Sequence, residues 1–377
     1  MIYLGFLLHL YQPWWQERKI IQKISEECYE PLMNLLNSYD QKLITLNIQW
    51  ALVEKLKECG KQDIIEGIKK AVATNKIELL KTAAYHPILP LISPEMAESQ
   101  IECDNEMKKT EGILANSPGF FLPELAYDKN LIPVLKNFGA KWTVTDDVPY
   151  HTRYRKVPFD EIISQDGIAI FLRSNLWSNL IAMNKISWQE FKSRFPKEVY
   201  HWTKGKDCYV ILVMDGETFG HHHKKSLANF LKPLLDKFSS NNGGVKLVSL
   251  GEIFSGFPKF QGEVPPGSWA TSPEDFVKQD YFPLWRSPRN TLHQIMWKIS
   301  ELAVSCLDKN VEHDLEVLKC QTSCQFWWVT GDRWQPDLSL KDIKHSINIV
   351  LQRGDENKRR MVRKYQKELL EKIKATQ

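Results

Sequence analysis

Two textures of apolar and polar positions divide this chain. Up to about residue 250, short apolar runs rich in β-branched and aromatic residues recur at 2–8, 42–48, 76–82, 141–145, 168–172, 208–214 and 245–249. Between them, apolar positions return every three or four residues, around 26–36, 51–59, 64–74, 94–114 and 130–138. The runs read as buried strands and the intervening stretches as amphipathic helices. An apolar run at 117–124 adds a further strand, which Pro123 stops just before Glu124. Alternation of this kind builds a parallel sheet, and about seven repeats favour a barrel over an open doubly wound sheet. Near residue 260 the segments 256–259 and 264–269 are rich in Gly and Pro. Beyond them only helical spacing remains, at 291–307, 311–320, 340–352 and 356–374.

Polar groups collect where the strands end, the place where such folds build active sites. After the 208–214 run come Asp215, Glu217, His221, His222 and His223. Glu124 closes the 117–124 run. Two carboxylates from different strands can face each other across one cleft, the equipment of glycosidases. Spacing does not choose between Asp215 and Glu217, since residues two apart share a strand face. His9 and Gln12 after the first strand, His86 after the third and Arg173 after the sixth are hydrogen-bonding groups suited to hydroxyl recognition.

Composition narrows the picture little. The chain has 377 residues, 43% apolar and 25% charged, with a net charge of +4, too weak to imply nucleic acid. The basic stretch 358–367 precedes periodic Leu and Ile and reads as a solvated helix face. Seven scattered cysteines form no zinc pattern and suggest free thiols in a reducing, cytoplasmic compartment. The apolar start lacks a basic flank and a cleavage site, so it reads as a strand rather than a signal peptide, and no run is long enough to span a membrane. Thirteen Trp include Trp269, Trp327 and Trp328, which fit either a core or a wall on which sugar faces stack.

In five segments the chain resembles glycoside hydrolase family 57. They are His9-Leu-Tyr-Gln-Pro13, Glu78 with Tyr85-His86-Pro87, Phe121-Leu-Pro-Glu124, Asp215-Gly-Glu-Thr-Phe-Gly220, and 323–328. Tyr11, Lys81 and Cys324 depart from the family pattern, where a second His, a Gly and an acidic residue are common. The resemblance implies a (β/α)7-barrel catalytic domain over 1–262 and a C-terminal α-helical bundle domain over 263–377 that lends aromatic residues to the cleft. It implies a retaining glycoside hydrolase or transglycosylase on α-1,4-glucans, of the α-amylase or 4-α-glucanotransferase type. Glu124 would be the nucleophile and Asp215 the acid/base, without cofactor or metal. His9, Gln12, Glu78, His86, Arg173, Glu217, His221, His222, Trp269 and Trp327 would bind substrate, Glu217 by orienting a neighbouring group such as a histidine of the His221–His223 run. The chain is shorter than typical glucanotransferases, which favours hydrolysis. Two alternatives stand beside this reading. The run His221–His223 with Asp215 suggests a metal-dependent polysaccharide deacetylase, and a glucan-binding relative without chemistry would keep the cleft but not its carboxylates. Neither a membrane nor a nucleic-acid partner is expected.

Overall fold

The computed structural model describes residues 1–240 and 243–376. Ten strands occur among them: β1 (Ile2–Leu10), β2 (Ile44–Ile48), β3 (Ile77–Leu79), β4 (Gly119–Phe120), β5 (Trp142–Asp146), β6 (Ile162–Gln165), β7 (Ile168–Arg173), β8 (Cys208–Asp215), β9 (Val245–Val248) and β10 (Lys259–Gln261). The sheet is mostly parallel. β1 pairs with β8 from Ile2 to His9, with β9 along Ile2–Gly5 and with β2 along Leu7–Leu10. β2 continues to β3, and on the other side β8 meets β7, β5 and β4 in turn. Lys81, just past β3, forms a parallel bridge with Phe120 of β4, so the two ends of the row touch. Lys81 N–H donates to the Gly119 carbonyl (3.2 Å), and Phe121 N–H donates to that of Lys81 (2.8 Å).

Strand parity decides what faces inward, because side chains alternate along a strand. Leu7, Val144, Phe171, Tyr209, Ile211 and Val213 pack into one inner cluster, whereas Leu4, Phe6 and Leu8 pack with the helices outside. Continuing the inner parity to the strand ends gives His9, Asp146, Arg173 and Asp215. The same rule puts Thr45, Asn47 and Glu78 on the inner side of β2 and β3.

Three features were not foreseen. β6 runs antiparallel to β7 as a hairpin arm, with β10 on its outer edge. Helices Asp147–Tyr154, Asn175–Ala182 and Trp188–Thr203 follow strand ends; the last contains Pro196, which masks its periodicity. Several bounds also differ: the expected helix 94–114 ends at Thr110, 311–320 shortens to Leu315–Lys319 behind an Asp314 cap, and 340–352 lengthens to Pro336–Arg353. Helix Thr291–Val304 packs on Pro336–Arg353 and on Glu356–Thr376. Their buried faces, including Ile295, Ile299, Val350 and Val362, belong to the same apolar cluster as Phe6 and Leu8. The seven cysteines are buried and unpaired. No helix among the described residues is long and apolar enough to cross a membrane.

Candidate active site

A cavity of about 870 Å³ opens over the C-terminal ends of the strands. His9, Glu124, Arg173, Asp215 and Glu217 reach it from the sheet side, with Gln12, His86, His221 and His222 at its rim. Trp269, Trp327, Trp328 and Arg333 reach it from beyond residue 263.

Glu124 sits in an unusual backbone. It and Leu125 both have positive φ, 58° and 50°, a region that costs non-glycine residues about 1–3 kcal/mol and persists only where the surroundings enforce it. Here they do. Leu125 N–H donates to the Leu122 carbonyl (2.8 Å), and Thr145 Oγ1 donates to the Leu125 carbonyl (2.9 Å). Tyr127 and Gly267 exchange two backbone bonds of 2.8 and 3.0 Å. That turn aims the Glu124 carboxyl into the cavity, where Trp269 Nε1–H donates to Oε2 (2.7 Å) and Ser323 Oγ to Oε1 (3.3 Å).

The wall between β1 and β3 is a stack of rings. His9 lies between Asn47 and His86, with Nδ1 2.7 Å from Asn47 Oδ1 and Nε2 3.1 Å from His86 Nε2. Phe121 stacks on His9 at 4.5 Å and Tyr11 on His86 at 4.0 Å. His86 Nδ1 is 2.8 Å from Ser323 Oγ, so the residue that contacts Glu124 also contacts this wall. The Tyr11 hydroxyl bonds to Thr322 Oγ1 (3.0 Å) and approaches Cys324 Sγ (3.5 Å).

The opposite wall is polar. Arg173 spends its donors on Asp146 (2.6 Å), Asn179 (2.7 Å) and the Val213 carbonyl (2.9 Å), while its guanidinium lies 5.8 Å from the Trp269 ring centre. It therefore braces the cleft and supplies a positive field to Asp215.

The loop after β8 is clamped by a single π-helical turn, Ser25–Tyr29. Three successive residues of that turn grip it. Glu27 bonds to His221 Nδ1 (2.7 Å), Cys28 Sγ–H donates to the Gly216 carbonyl (3.2 Å), and the Tyr29 hydroxyl donates to Glu217. Gly220, at φ 123°, passes so close that a Cβ would lie 1.9 Å from the Glu27 carbonyl oxygen. Such π-turns recur at functional sites because the extra residue redirects side chains.

Burial governs the electrostatics. Glu124 is pushed up to about 8, first by burial and then by the negative charge of Asp215, with Trp269 and Ser323 opposing the shift. Asp215 is raised by burial, against the pull of His9 and Arg173. Glu217 is pushed up to about 8 by burial and Asp215. Two like charges facing one buried cavity cannot both ionise readily, so an ionised Asp215 disfavours the carboxylate forms of Glu124 and Glu217. Hydrogen bonding separates the partners: Glu124 accepts from two donors, whereas no donor among the described residues reaches the Asp215 carboxyl. Burial lowers His9 and drives His86 well below its ordinary range, so both are neutral imidazoles.

Two expectations need correction. Glu78 lies deeper in the sheet interior, away from the cavity, where its carboxylate accepts from Thr45 Oγ1 (2.8 Å), Ser117 Oγ (2.8 Å) and Gly251 N–H (3.0 Å). Its inward parity was legible, but its depth was not; Gly251 is packed so tightly that a Cβ would stand 2.2 Å from Glu78 Oε1. Glu217 does not orient a histidine through its carboxylate, which binds Tyr29 and Gln12 (3.4 Å); only its carbonyl accepts from His221 and His222 N–H. The three consecutive histidines diverge, His221 toward Glu27 and His223 toward the Ala182 carbonyl (2.8 Å). Among the described residues no group of three or more His, Cys, Asp or Glu is arranged to hold a metal ion.

Residues 6–265 match the family model described as glycosyl hydrolase family 57. The chain is 25% identical over 278 residues to an alpha-amylase of Pyrococcus horikoshii, covering 70% of this chain and 42% of that protein. It spans less than half the length of the curated relatives it matches. Among solved structures, a 4-alpha-glucanotransferase from Thermococcus litoralis superposes with a TM-score of 0.73 at 18% identity, over 93% of this chain and 59% of that one. A GH57-type branching enzyme from Pyrococcus horikoshii gives 0.70 at 16% identity, over 97% and 94%.

Proposed function

Because this chain belongs to glycosyl hydrolase family 57, we propose that it cleaves α-1,4-glucans or maltooligosaccharides with retention, releasing the sugar to water or to another sugar hydroxyl. The observation that carries the reading is the contrast between two buried carboxyls facing one cavity. Glu124 holds two hydrogen-bond donors that favour its carboxylate, and no donor among the described residues reaches the Asp215 carboxyl. In this reading Asp215 gives its proton to the glycosidic oxygen as Glu124 attacks the anomeric carbon, forming a glycosyl ester of inverted configuration. Protonating Asp215 removes the charge that hinders ionisation of Glu124, so each role supports the other. Asp215, ionised by that step and steadied by Arg173, then takes a proton from water or a sugar hydroxyl, whose oxygen displaces Glu124. Trp269, Trp327 and Trp328 offer apolar faces for sugar rings.

The touching ends of the parallel row support a (β/α)7 barrel over 1–262, with the helices of 263–377 as a second domain that lends Trp269, Ser323 and Trp327. Proton NMR of fresh hydrolysate from a maltooligosaccharide tests the stereochemistry: the α-anomer should appear first. Initial release of the β-anomer would replace this reading with single-step inversion.

A further inference from the structure

Asn47, His9, His86, Ser323 and Glu124 form an unbroken hydrogen-bonded row that crosses from β2 to the carboxyl at the centre of the cleft. Its links are 2.7, 3.1, 2.8 and 3.3 Å. Both imidazoles are buried and neutral, so each carries one N–H and one lone pair. The 3.1 Å contact joins two Nε2 atoms, and only one of them can hold the proton. The Ser323 hydroxyl has one hydrogen and two neighbours that can accept it, His86 Nδ1 and Glu124 Oε1. These constraints leave two self-consistent arrangements.

In the first, Glu124 is protonated. Trp269 Nε1–H occupies Oε2, so the proton sits on Oε1 and is donated to Ser323. Ser323 then donates to His86 Nδ1, His86 Nε2–H to His9 Nε2, and His9 Nδ1–H to Asn47 Oδ1. In the second, Glu124 is ionised. Ser323 donates to it, His86 carries its proton on Nδ1, His9 carries its own on Nε2, and Asn47 must present Nδ2–H instead of Oδ1. The first arrangement has four mobile protons and the second three, and the difference is the proton lost from Glu124. The Asn47 amide as placed fits the first, with Nδ2 buried and unpartnered. Turning the amide would exchange which of its atoms has a partner.

We infer that His9 and His86 are positioning residues whose tautomers change together with the protonation of Glu124, through Ser323. The row lets a buried carboxyl gain or lose its proton without leaving any imidazole facing a mismatched neighbour. A mismatch would leave a buried donor or acceptor unsatisfied, so the two states are separated sharply. Other charged and titratable groups around the row are Asp215 beside His9 and Glu124, Arg173 beside Asp215, Arg333 toward Glu124, and Tyr11 and Cys324 beyond His86, whose Nδ1 also lies 3.6 Å from Glu124 Oε1, beyond hydrogen-bond distance. None of them supplies a second bond to either imidazole among the described residues. The catalytic meaning of the row rests on Glu124 being the nucleophile; the tautomer coupling itself does not.

Nitrogen NMR of the full chain, labelled in its ten histidines, tests the inference without reference to turnover. His9→Gln and His86→Gln spectra identify the two signals. As pH rises through the titration of Glu124, followed by a ¹³C label in glutamate, the His86 proton should pass from Nε2 to Nδ1 at the same midpoint, and that of His9 from Nδ1 to Nε2. Ser323→Ala should abolish the joint change, and Ser323→Thr, which keeps the hydroxyl, should restore it. A wild-type His86 that holds one tautomer throughout overturns the inference even if the alanine variant does not fold, and so does a joint change that survives in Ser323→Ala. Loss of retaining stereochemistry with the tautomer change intact would instead count against the proposed function alone.

Discussion

Replacing Trp269 with Phe isolates one interaction at the proposed nucleophile. The indole Nε1–H donates to Glu124 Oε2 at 2.7 Å, and the ring also meets Arg173 at 5.8 Å and His9 at 6.5 Å. Phenylalanine keeps most of the apolar contact and removes the donor. A hydrogen bond to a charged group is worth about 1.5–3 kcal/mol. One pKa unit corresponds to about 1.36 kcal/mol, so loss of the bond should raise the apparent pKa of Glu124 by about 1–2 units. The sign follows from the role: the carboxylate must be ionised to attack, and a donor lost from the ionised form favours the protonated one. Activity should therefore fail at a higher pH on the acidic side. Measured as kcat/KM against pH, which reports the free enzyme, with an aryl α-maltooligosaccharide, the acidic limb should move upward by about 1–2 units. Below the new limb the loss should be about 10- to 100-fold, with near-wild-type values well above it. A limb that stays in place or moves downward would refute the view that this bond holds Glu124 ionised.

The remaining predictions concern roles. Asp215→Asn should lose about 10²–10⁴-fold on maltooligosaccharides yet keep appreciable activity on α-maltosyl fluoride, whose leaving group needs no proton, whereas Glu124→Gln should be inactive on both. If Glu217→Gln shows the leaving-group pattern instead, the acid is Glu217. Trp327→Ala should raise KM on longer maltooligosaccharides, by about 0.5–1.5 kcal/mol for a lost aromatic contact, with an unchanged melting temperature; unchanged kinetics would make this ring a packing element only. Exhaustive chelation should leave activity on an α-glucan intact, and loss restored by zinc would point to metal-assisted hydrolysis.

Much of this site can be read from the chain because strands announce themselves locally. The run before Asp215 is apolar and β-branched, its parity carries through to the carboxylate, and the same rule applied to β1 and β7 brings in His9 and Arg173. What escapes such reading is contributed from afar. Ser323 touches Glu124 across 199 positions from the turn before a short helix, and Tyr29 touches Glu217 across 188 from a π-helical turn; the local pattern of each speaks only of packing. Glu78 shows the complementary limit, since parity gives a side chain its direction but not its depth. The β6 arm escaped because an antiparallel hairpin inside a parallel series has no distinct periodicity of its own.

The bond between His86 and Ser323 spans 237 positions. It is reinforced by Ser323 N–H donating to the His86 carbonyl (2.9 Å) and by a bridge from Pro87 to Thr322. During synthesis at about 5–20 residues per second, roughly 10–50 s pass between the emergence of these two residues from the ribosome. Through that interval the strands can pair, but the ring wall has no Ser323, and Glu124 lacks the donor that Ser323 supplies. Completion of the proposed active site is therefore a late, separate event in the life of the nascent polypeptide, and a growing chain can carry a paired sheet before it carries a complete cleft.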